Sequence, residues 1–258
     1  MAFRRRFLGF ILPVRPIEGG RVAAPADIQV FSTTAMKMVF EELAPRFQRE
    51  TGHRFAVTLG PSLVLEKRLA EGEAADVAIV TASGARDLAA RGTLVAASLT
   101  DVARSSIGIA VPKGAPKPDL SSAESFKRAM LAAKSVALSK PVGGGASGAH
   151  MAKVFERLGI AEAMHAKAKY GTGGAAGLAG LVVQRGEADI GIQQLAELIA
   201  VDGIEVIGPL PAELQMVTLF TAGIPARASR PEAARSLIGF LTAPAAKSVI
   251  KAKGLEPV

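Results

Sequence analysis

Cysteine and tryptophan are both absent from the 258 residues, and aromatic residues make up only 5%. Without cysteine there is no disulfide framework and no thiolate chemistry. With no tryptophan and one tyrosine, the chain lacks the stacking platforms that single-stranded nucleic acids require. Histidine is scarce as well: only His53, His150 and His165 occur. HExxH, CxxC and GxxxxGK[ST] are missing, so no metal centre, no nucleotide site and no cofactor are expected. His53, in a Gly-His-Arg turn, and His165, on an alanine-flanked helix, read as solvated surface.

The formal charge is +8, but residues 1–26 hold Arg4, Arg5, Arg6, Arg15 and Arg21 against Glu18 alone, which is half of it. Elsewhere bases alternate with acids, as in Glu66-Lys67-Arg68, so a mixed solvated surface is expected and no nucleic-acid partner. Arg4–Arg6 followed by apolar Phe7–Leu12 and the small-x-small Ala24-Pro25-Ala26 read as an export signal at 1–26. The apolar segment stops after six residues at Pro13, shorter than is usual for such a leader. No other apolar run has the length needed to span a bilayer.

What the sequence does have is glycine in strand-to-helix loops. In Ser135–Gly159 a short apolar run, Val136-Ala137-Leu138, precedes Gly143, Gly144, Gly145, Ser147 and Gly148. Met151, Val154, Phe155 and Leu158 then recur at helical spacing until Gly159. Backbone N–H groups of such a loop, at the positive end of a helix, suit an anion or a carboxylate. A plain flexible connection fits the same residues equally well.

Strands alternate with helices along the chain, which predicts an α/β protein with a mainly parallel sheet. Met36, Val39, Phe40, Leu43 and Phe47 share a helical face, with Pro45 expected to kink it. Ser62 is expected to cap the next helix, and Ser121 with Glu124 has capping-box spacing. Gly72-Glu73-Ala74-Ala75-Asp76-Val77 is echoed by Gly186-Glu187-Ala188-Asp189-Ile190, which points to two units of one design. Polar loops recur at strand ends: Ser32-Thr33-Thr34, Ser62, Lys140 through Ser147, Thr172-Gly173-Gly174 and Gln193-Gln194. Open α/β sheets bind ligands there. Taken singly, each hydroxyl is as readily a helix cap, and Lys140 a solvated charge.

The chain resembles the periplasmic substrate-binding proteins of ABC transporters, in the molybdate-binding-like branch. Val30-Phe31 with the helix of Met36–Phe47, the segment Gly72–Ala82, Val111-Pro112-Lys113, Ser147–Gly159, Gly186–Ile192 and the tail Phe240-Leu241…Pro244…Gly254-Leu255 carry the likeness. It implies two Rossmann-like lobes joined by two crossover strands, the type II periplasmic binding protein fold. Residues 27–109 and 214–258 would form one lobe and 110–213 the other, hinged near Ile109–Pro112 and Pro211–Gln215. The resemblance further implies a monomeric periplasmic receptor that hands a small anionic ligand to an ABC permease.

Carried over residue by residue, the family's first ligand serine falls on Ala35, leaving Thr34 or Ser32 to substitute. The second falls on Ser62, the glycine-loop donor near Ser147, and the tyrosine after the Gly-Ile strand on Gln194. The departures at Ala35 and Gln194 count against molybdate. Gln193, Gln194, Ser147, Gly148 and His150 suit an organic di- or tricarboxylate, since amide and imidazole N–H groups match carboxylate oxygens. The expected ligand set is Ser32, Thr33, Thr34, Ser62, Lys140, Ser147, Gly148, His150, Gly173, Gly174, Gln193 and Gln194. The alternative is a cofactor-independent isomerase of a polycarboxylate, resembling an aconitate isomerase on this fold. Its proton-transferring base would be His150 or Lys140.

Overall fold

The computed structural model describes residues 25–172 and 176–258, so residues 1–24 of the expected export signal and the pair Gly173-Gly174 lie outside the described residues. β1 (Asp27–Thr33) passes through one 3-10 turn (Thr34–Met36) into α1 (Lys37–Thr51). This helix buries Val39, Phe40, Leu43 and Phe47, and Gly52 ends it in the left-handed conformation. It contains Pro45 and continues to Thr51. Next come β2 (Arg54–Gly60), α2 (Ser62–Ala70), β3 (Val77–Thr81) and α3 (Ala82–Ala90). The long strand β4 (Thr100–Pro112) precedes α4 (Ala123–Ala132), β5 (Val136–Ser139) and α5 (Ala146–Arg157). Then follow α6 (Ala161–Lys167), β6 (Ala168–Gly171), α7 (Ala179–Gln184), β7 (Ile190–Gln194) and the short α8 (Leu195–Ile199). β8 (Ile204–Pro209), β9 (Val217–Gly223), α9 (Pro231–Thr242), α10 (Pro244–Ala252) and β10 (Glu256–Pro257) complete the chain.

The described strands run in the order β2-β1-β3-β9-β4-β7-β5-β6, with β8 and β10 also paired to β4. β1 lies parallel to β2 and β3, and β5 lies parallel to β6 and β7, while β9 and β4 run antiparallel to their neighbours. The fold is α/β, as the alternating pattern predicts. Both halves of the sheet are buried on two faces, which is why their strands read as continuous apolar runs. One half is sandwiched between a cluster on Met36, Phe47, Phe220 and Leu237 and a second on Phe31, Leu65, Val80 and Leu88. The other lies between a cluster on Phe126, Met130, Met151 and Phe155 and a smaller one on Ala179 and Val183.

β4 belongs to both halves. It pairs with β9 from Thr100 to Ser106 and with β7 from Ile107 onward, so it changes partners upstream of the expected Ile109–Pro112. Leu210–Met216 crosses back from β8 to β9. Gln215 ties the two crossings together: Ile107 N–H donates to its Oε1 and its Nε2 donates to the Ile107 carbonyl, both at 2.9 Å. The side-chain amide thus acts as one more rung of backbone pairing where the sheet changes partners.

The echoed Gly-Glu-Ala…Asp segments do the same job in each half. Asp76 N–H donates to the Gln29 carbonyl and its Oδ2 accepts the Gln29 N–H. Asp189 N–H donates to the Ser135 carbonyl and its Oδ2 accepts the Ser135 N–H. Each aspartate therefore starts a strand by clamping the edge of the parallel neighbour.

Three local expectations need correction. Ser62 is the first helical residue, preceded by Pro61 as N-cap, and is buried rather than capping. Ser122, not Ser121, caps α4 by accepting the Ser125 N–H. His53 is buried, its Nδ1 accepting the Ala26 N–H at 3.2 Å while its ring packs near Phe47. His165 is exposed, as read from sequence.

A candidate anion-binding cleft

A single cleft gathers the strand-end loops. Thr34 and Pro61 line it from the β1–α1 and β2–α2 connections. From the other half come Ser139, Lys140, Gly143, Gly144 and Gly145 of the β5–α5 loop, Gly171 and Thr172 at the end of β6, Leu178, Gln193 and Glu197. About 380 Å³ of space lies between these atoms, open mouth included. A hollow of the same size between α5 and α6 is lined by Met151, Phe155 and Met164 and offers mainly apolar surface. The converging polar groups single out the first.

Helix starts dominate the lining. Gly145 precedes α5, Leu178 precedes α7 and Pro61 precedes α2, and none of these residues caps its helix with its own side chain, although Gln193 Oε1 takes the first N–H of α7. α3 and α4, whose starts lie outside the cleft, are capped by Thr81 and Ser122, whereas α6, α9 and α10, also outside it, are uncapped as well. An uncapped first turn leaves N–H groups without an intrahelical acceptor, at the positive end of the dipole. α5 has twelve residues, long enough for that field to matter.

The glycines that hold this loop have separate reasons. Gly143 takes φ 71°, where a side chain is strained. A Cβ on Gly144 or Gly148 would sit 2.2 or 2.4 Å from the Lys140 carbonyl oxygen, so both are glycine because the loop folds onto its own backbone. Gly145 is uncrowded and has an ordinary φ, its nearest neighbours being the hydroxyls of Ser139 and Ser147 at 3.8 and 3.9 Å.

Among the expected site residues, Thr34, Lys140 and Gln193 line the cleft directly. Ser147 is buried just behind it, its Oγ 3.4 Å from the Oγ of Ser139, which does line it. Ser62 is buried beside the lining residue Pro61. Ser32 lies buried within β1, its Oγ donating to the Thr33 carbonyl, and Thr33 is buried next to it; neither side chain reaches the lining. Gly148 is turned toward the backbone of Ser139 and Lys140.

Two expected residues do other work. Gln194 bridges the sheet halves, its Nε2 donating to Thr218 Oγ1 at 3.0 Å, while its buried Oε1 has no partner among the described residues. His150 Nε2 donates to the Leu214 carbonyl at 2.7 Å, and Arg157 donates to the neighbouring Glu213 carbonyl. α5 is thereby fastened to the second crossing. Replacing His150 with alanine is expected to cost about 1 kcal/mol of stability, the worth of one such hydrogen bond, with cleft affinity changed less than threefold. Urea melts and calorimetric titration of the variant check both.

Glu197 was not legible as a site residue. It lies on α8, partly exposed into the cleft, where the nearby Gln193 side chain and Gln194 N–H favour its ionised form. Burial pushes the carboxyl up to about 7, against the opposing pull of those two groups. Gln193 is held in place because its Oε1 accepts the Ala179 N–H at 2.7 Å. No group of three or more histidine, aspartate or glutamate side chains positioned to hold a metal occurs among the described residues.

The profile of a family described as bacterial extracellular solute-binding protein matches residues 28–256. An aconitate isomerase from a Pseudomonas species is 35% identical over 237 residues, covering 90% of this chain and 88% of that protein. The periplasmic molybdate-binding protein of Azotobacter vinelandii superposes with a TM-score of 0.74 at 21% identity, covering 89% of this chain and 98% of that one. The sulfate-binding protein of Mycobacterium tuberculosis gives 0.72 at 16% identity, covering 91% of this chain and 87% of that one. The last two likenesses speak to the fold.

Proposed function

The chain belongs to the bacterial extracellular solute-binding proteins, and from that premise we propose that it takes a small organic polycarboxylate, of the aconitate class, into its cleft. The observation that carries this reading is the convergence of helix starts, hydroxyls, the Gln193 amide and Lys140 on one space. Main-chain donors grip carboxylate oxygens without needing an equal counter-charge. The 35%-identical relative named for aconitate supports the same ligand class. In this reading the two sheet halves close about the crossings at Ser106–Ile107 and Leu210–Met216, the ligand is delivered to an ABC permease, and the protein works as a monomer in the periplasm.

A second reading is favoured by that relative: the cleft isomerises the tricarboxylate it binds. Shifting a double bond along the carbon skeleton needs a proton-transferring group beside the substrate. The ionisable side chains lining the cleft among the described residues are Lys140 and Glu197, whereas His150 is engaged at the Leu214 carbonyl.

One set of experiments addresses both readings. Calorimetric titration with cis-aconitate, trans-aconitate, citrate, sulfate and molybdate is expected to give a tricarboxylate dissociation constant of about 10⁻⁶ M or tighter, near −8 kcal/mol, and no heat with molybdate. Binding of sulfate or molybdate with none of any polycarboxylate would overturn the proposal. Proton NMR of the aconitate mixtures then separates a receptor, which leaves each isomer unchanged, from an isomerase, which brings both to one equilibrium ratio.

A further inference from the structure

We infer that Glu197 is the proton-exchanging group of the cleft: when a polycarboxylate enters, one proton is taken up from solvent onto Glu197, and the resulting carboxylic acid donates to a ligand oxygen. The inference rests on the polycarboxylate reading given above. Its starting point is a mismatch of chemistry. Every other polar group that lines the cleft is a donor or can act as one: Thr34, Ser139, Thr172, Gln193, Lys140 and the glycine-loop amides. Glu197 is the acidic side chain among the described lining residues. Left ionised, it offers only acceptors to an incoming polyanion and repels it.

The surroundings let Glu197 change state without disturbing the fold. The Gln193 side chain and the Gln194 N–H lie near the carboxyl. A protonated carboxyl keeps an oxygen that can accept from them and gains one O–H to direct into the cleft. Burial already disfavours the charged form, so a second negative charge nearby is enough to complete protonation at neutral pH.

Charged neighbours do not offer a competing account. The elements packed against α8 include the turn at Thr34–Met36, α7, β4, β7, β8 and the turn at Gly254, whose neighbour Lys253 is paired with Glu42. The turn at Thr34–Met36, α7 and β7 carry no ionisable side chain. β4 carries Asp101, which accepts from Thr221, and Arg104; β8 carries Glu205, which is paired with Lys117. Lys140 is the charged side chain lining the cleft beside Glu197, and it is exposed.

The balance is simple: protein carboxylate plus solvent proton plus ligand polyanion gives a complex in which the proton bridges Glu197 and a ligand carboxylate. No bond to carbon is made or broken. The consequence is selectivity, since a Glu197 that must be neutralised couples affinity to pH.

The test is calorimetric titration of cis-aconitate or citrate into the unmodified protein and into Glu197→Gln between pH 7.5 and 9, in buffers of different ionisation enthalpy. Ligand carboxyls are ionised throughout this range. The unmodified protein is expected to take up one proton per ligand and to lose about tenfold in affinity per pH unit. Glu197→Gln keeps the shape and the amide donor and is expected to bind with no proton uptake and a flat pH profile. Proton uptake of zero in the unmodified protein overturns the inference without any variant. A pH slope that persists in Glu197→Gln overturns it as well. Failure of every polycarboxylate to bind at any pH overturns the proposed function and this inference together. Binding with a flat pH profile leaves the proposed function standing and sinks only the role of Glu197.

Discussion

Replacing Asp76 with alanine is expected to cost about 3 kcal/mol or more of stability, since each buried main-chain donor left without a partner costs about 1–3 kcal/mol. The carboxylate is buried at the start of β3, and Oδ1 accepts the Ser229 N–H, the Ser229 hydroxyl and the Arg230 N–H at 2.9–3.0 Å. Oδ2 accepts the Gln29 N–H at 2.9 Å and lies 3.6 Å from the Arg230 guanidinium. Alanine leaves three main-chain donors without a partner at the junction of β1, β3 and the loop before α9. Its counterpart in the other half, Asp189, is exposed and accepts only from Lys134 and Ser135, so Asp189→Ala is expected to cost nearer 1 kcal/mol. Urea unfolding of the two variants checks the contrast, and equal losses would show that burial is not what separates them.

The same site sets a pH dependence. Burial pushes the Asp76 carboxyl up, but hydrogen bonds from Gln29, Ser229 and Arg230 outweigh it and hold it below the usual aspartate value. A group whose folded pKa is depressed contributes its full stabilisation above the unfolded pKa, near 3.9, and loses it as pH falls through the folded value. The Asp76→Ala variant is therefore expected to differ from the parent at pH 7 and to converge with it in strong acid.

Gly148→Ala is expected to carry a large penalty on ligand binding. The added Cβ would lie 2.4 Å from the Lys140 carbonyl oxygen and 2.5 Å from that of Ser139. Neither neighbour is a flexible side-chain end, so α5 has to move away from the end of β5. Overpacking of this kind costs about 1–3 kcal/mol. A shift of about 1 Å in the helix start carries the N–H donors out of register with a ligand, for which a loss on the order of 10²-fold in affinity is expected. Gly145→Ala is the control. Its φ of −81° suits any residue and its surroundings are open, so the fold should be unaffected while the methyl enters the cleft lining. Thermal melts and titration of both variants decide it: stability unchanged in Gly148→Ala would mean that the loop is looser than its backbone packing implies.

Much of the architecture is legible in the residues. The apolar face of α1, the glycine stop after it, the strand-loop-helix of β5 and α5, and the paired Gly-Glu-Ala…Asp segments can all be read from spacing. Thr34, Lys140 and Gln193 were found from a rule about strand ends, and they line the cleft. β8 is not legible in the sequence because its residues are half-buried without clear alternation, nor is the start of β4, where Thr100-Asp101 looks like a loop. Ser32 and Gln194 looked like ligand donors because their residue types are right. Whether such a side chain faces the cleft, the sheet or the other strand is decided by one step of pleat, and the sequence alone does not specify it.

By itself the sequence determined the alternation of strand and helix, the two-unit design and the placement of glycine- and hydroxyl-bearing loops at strand ends, because these depend on local periodicity and on what glycine and the hydroxyls permit. Only the tertiary structure decided that His150 fastens a crossing and that Glu197 enters the cleft. A five-residue helix is too short to show a face, and one glutamate in it looks like any solvated charge until distant segments exclude water around it. Burial is a property of the assembled surfaces, and it turns an ordinary carboxylate into one balanced near neutrality.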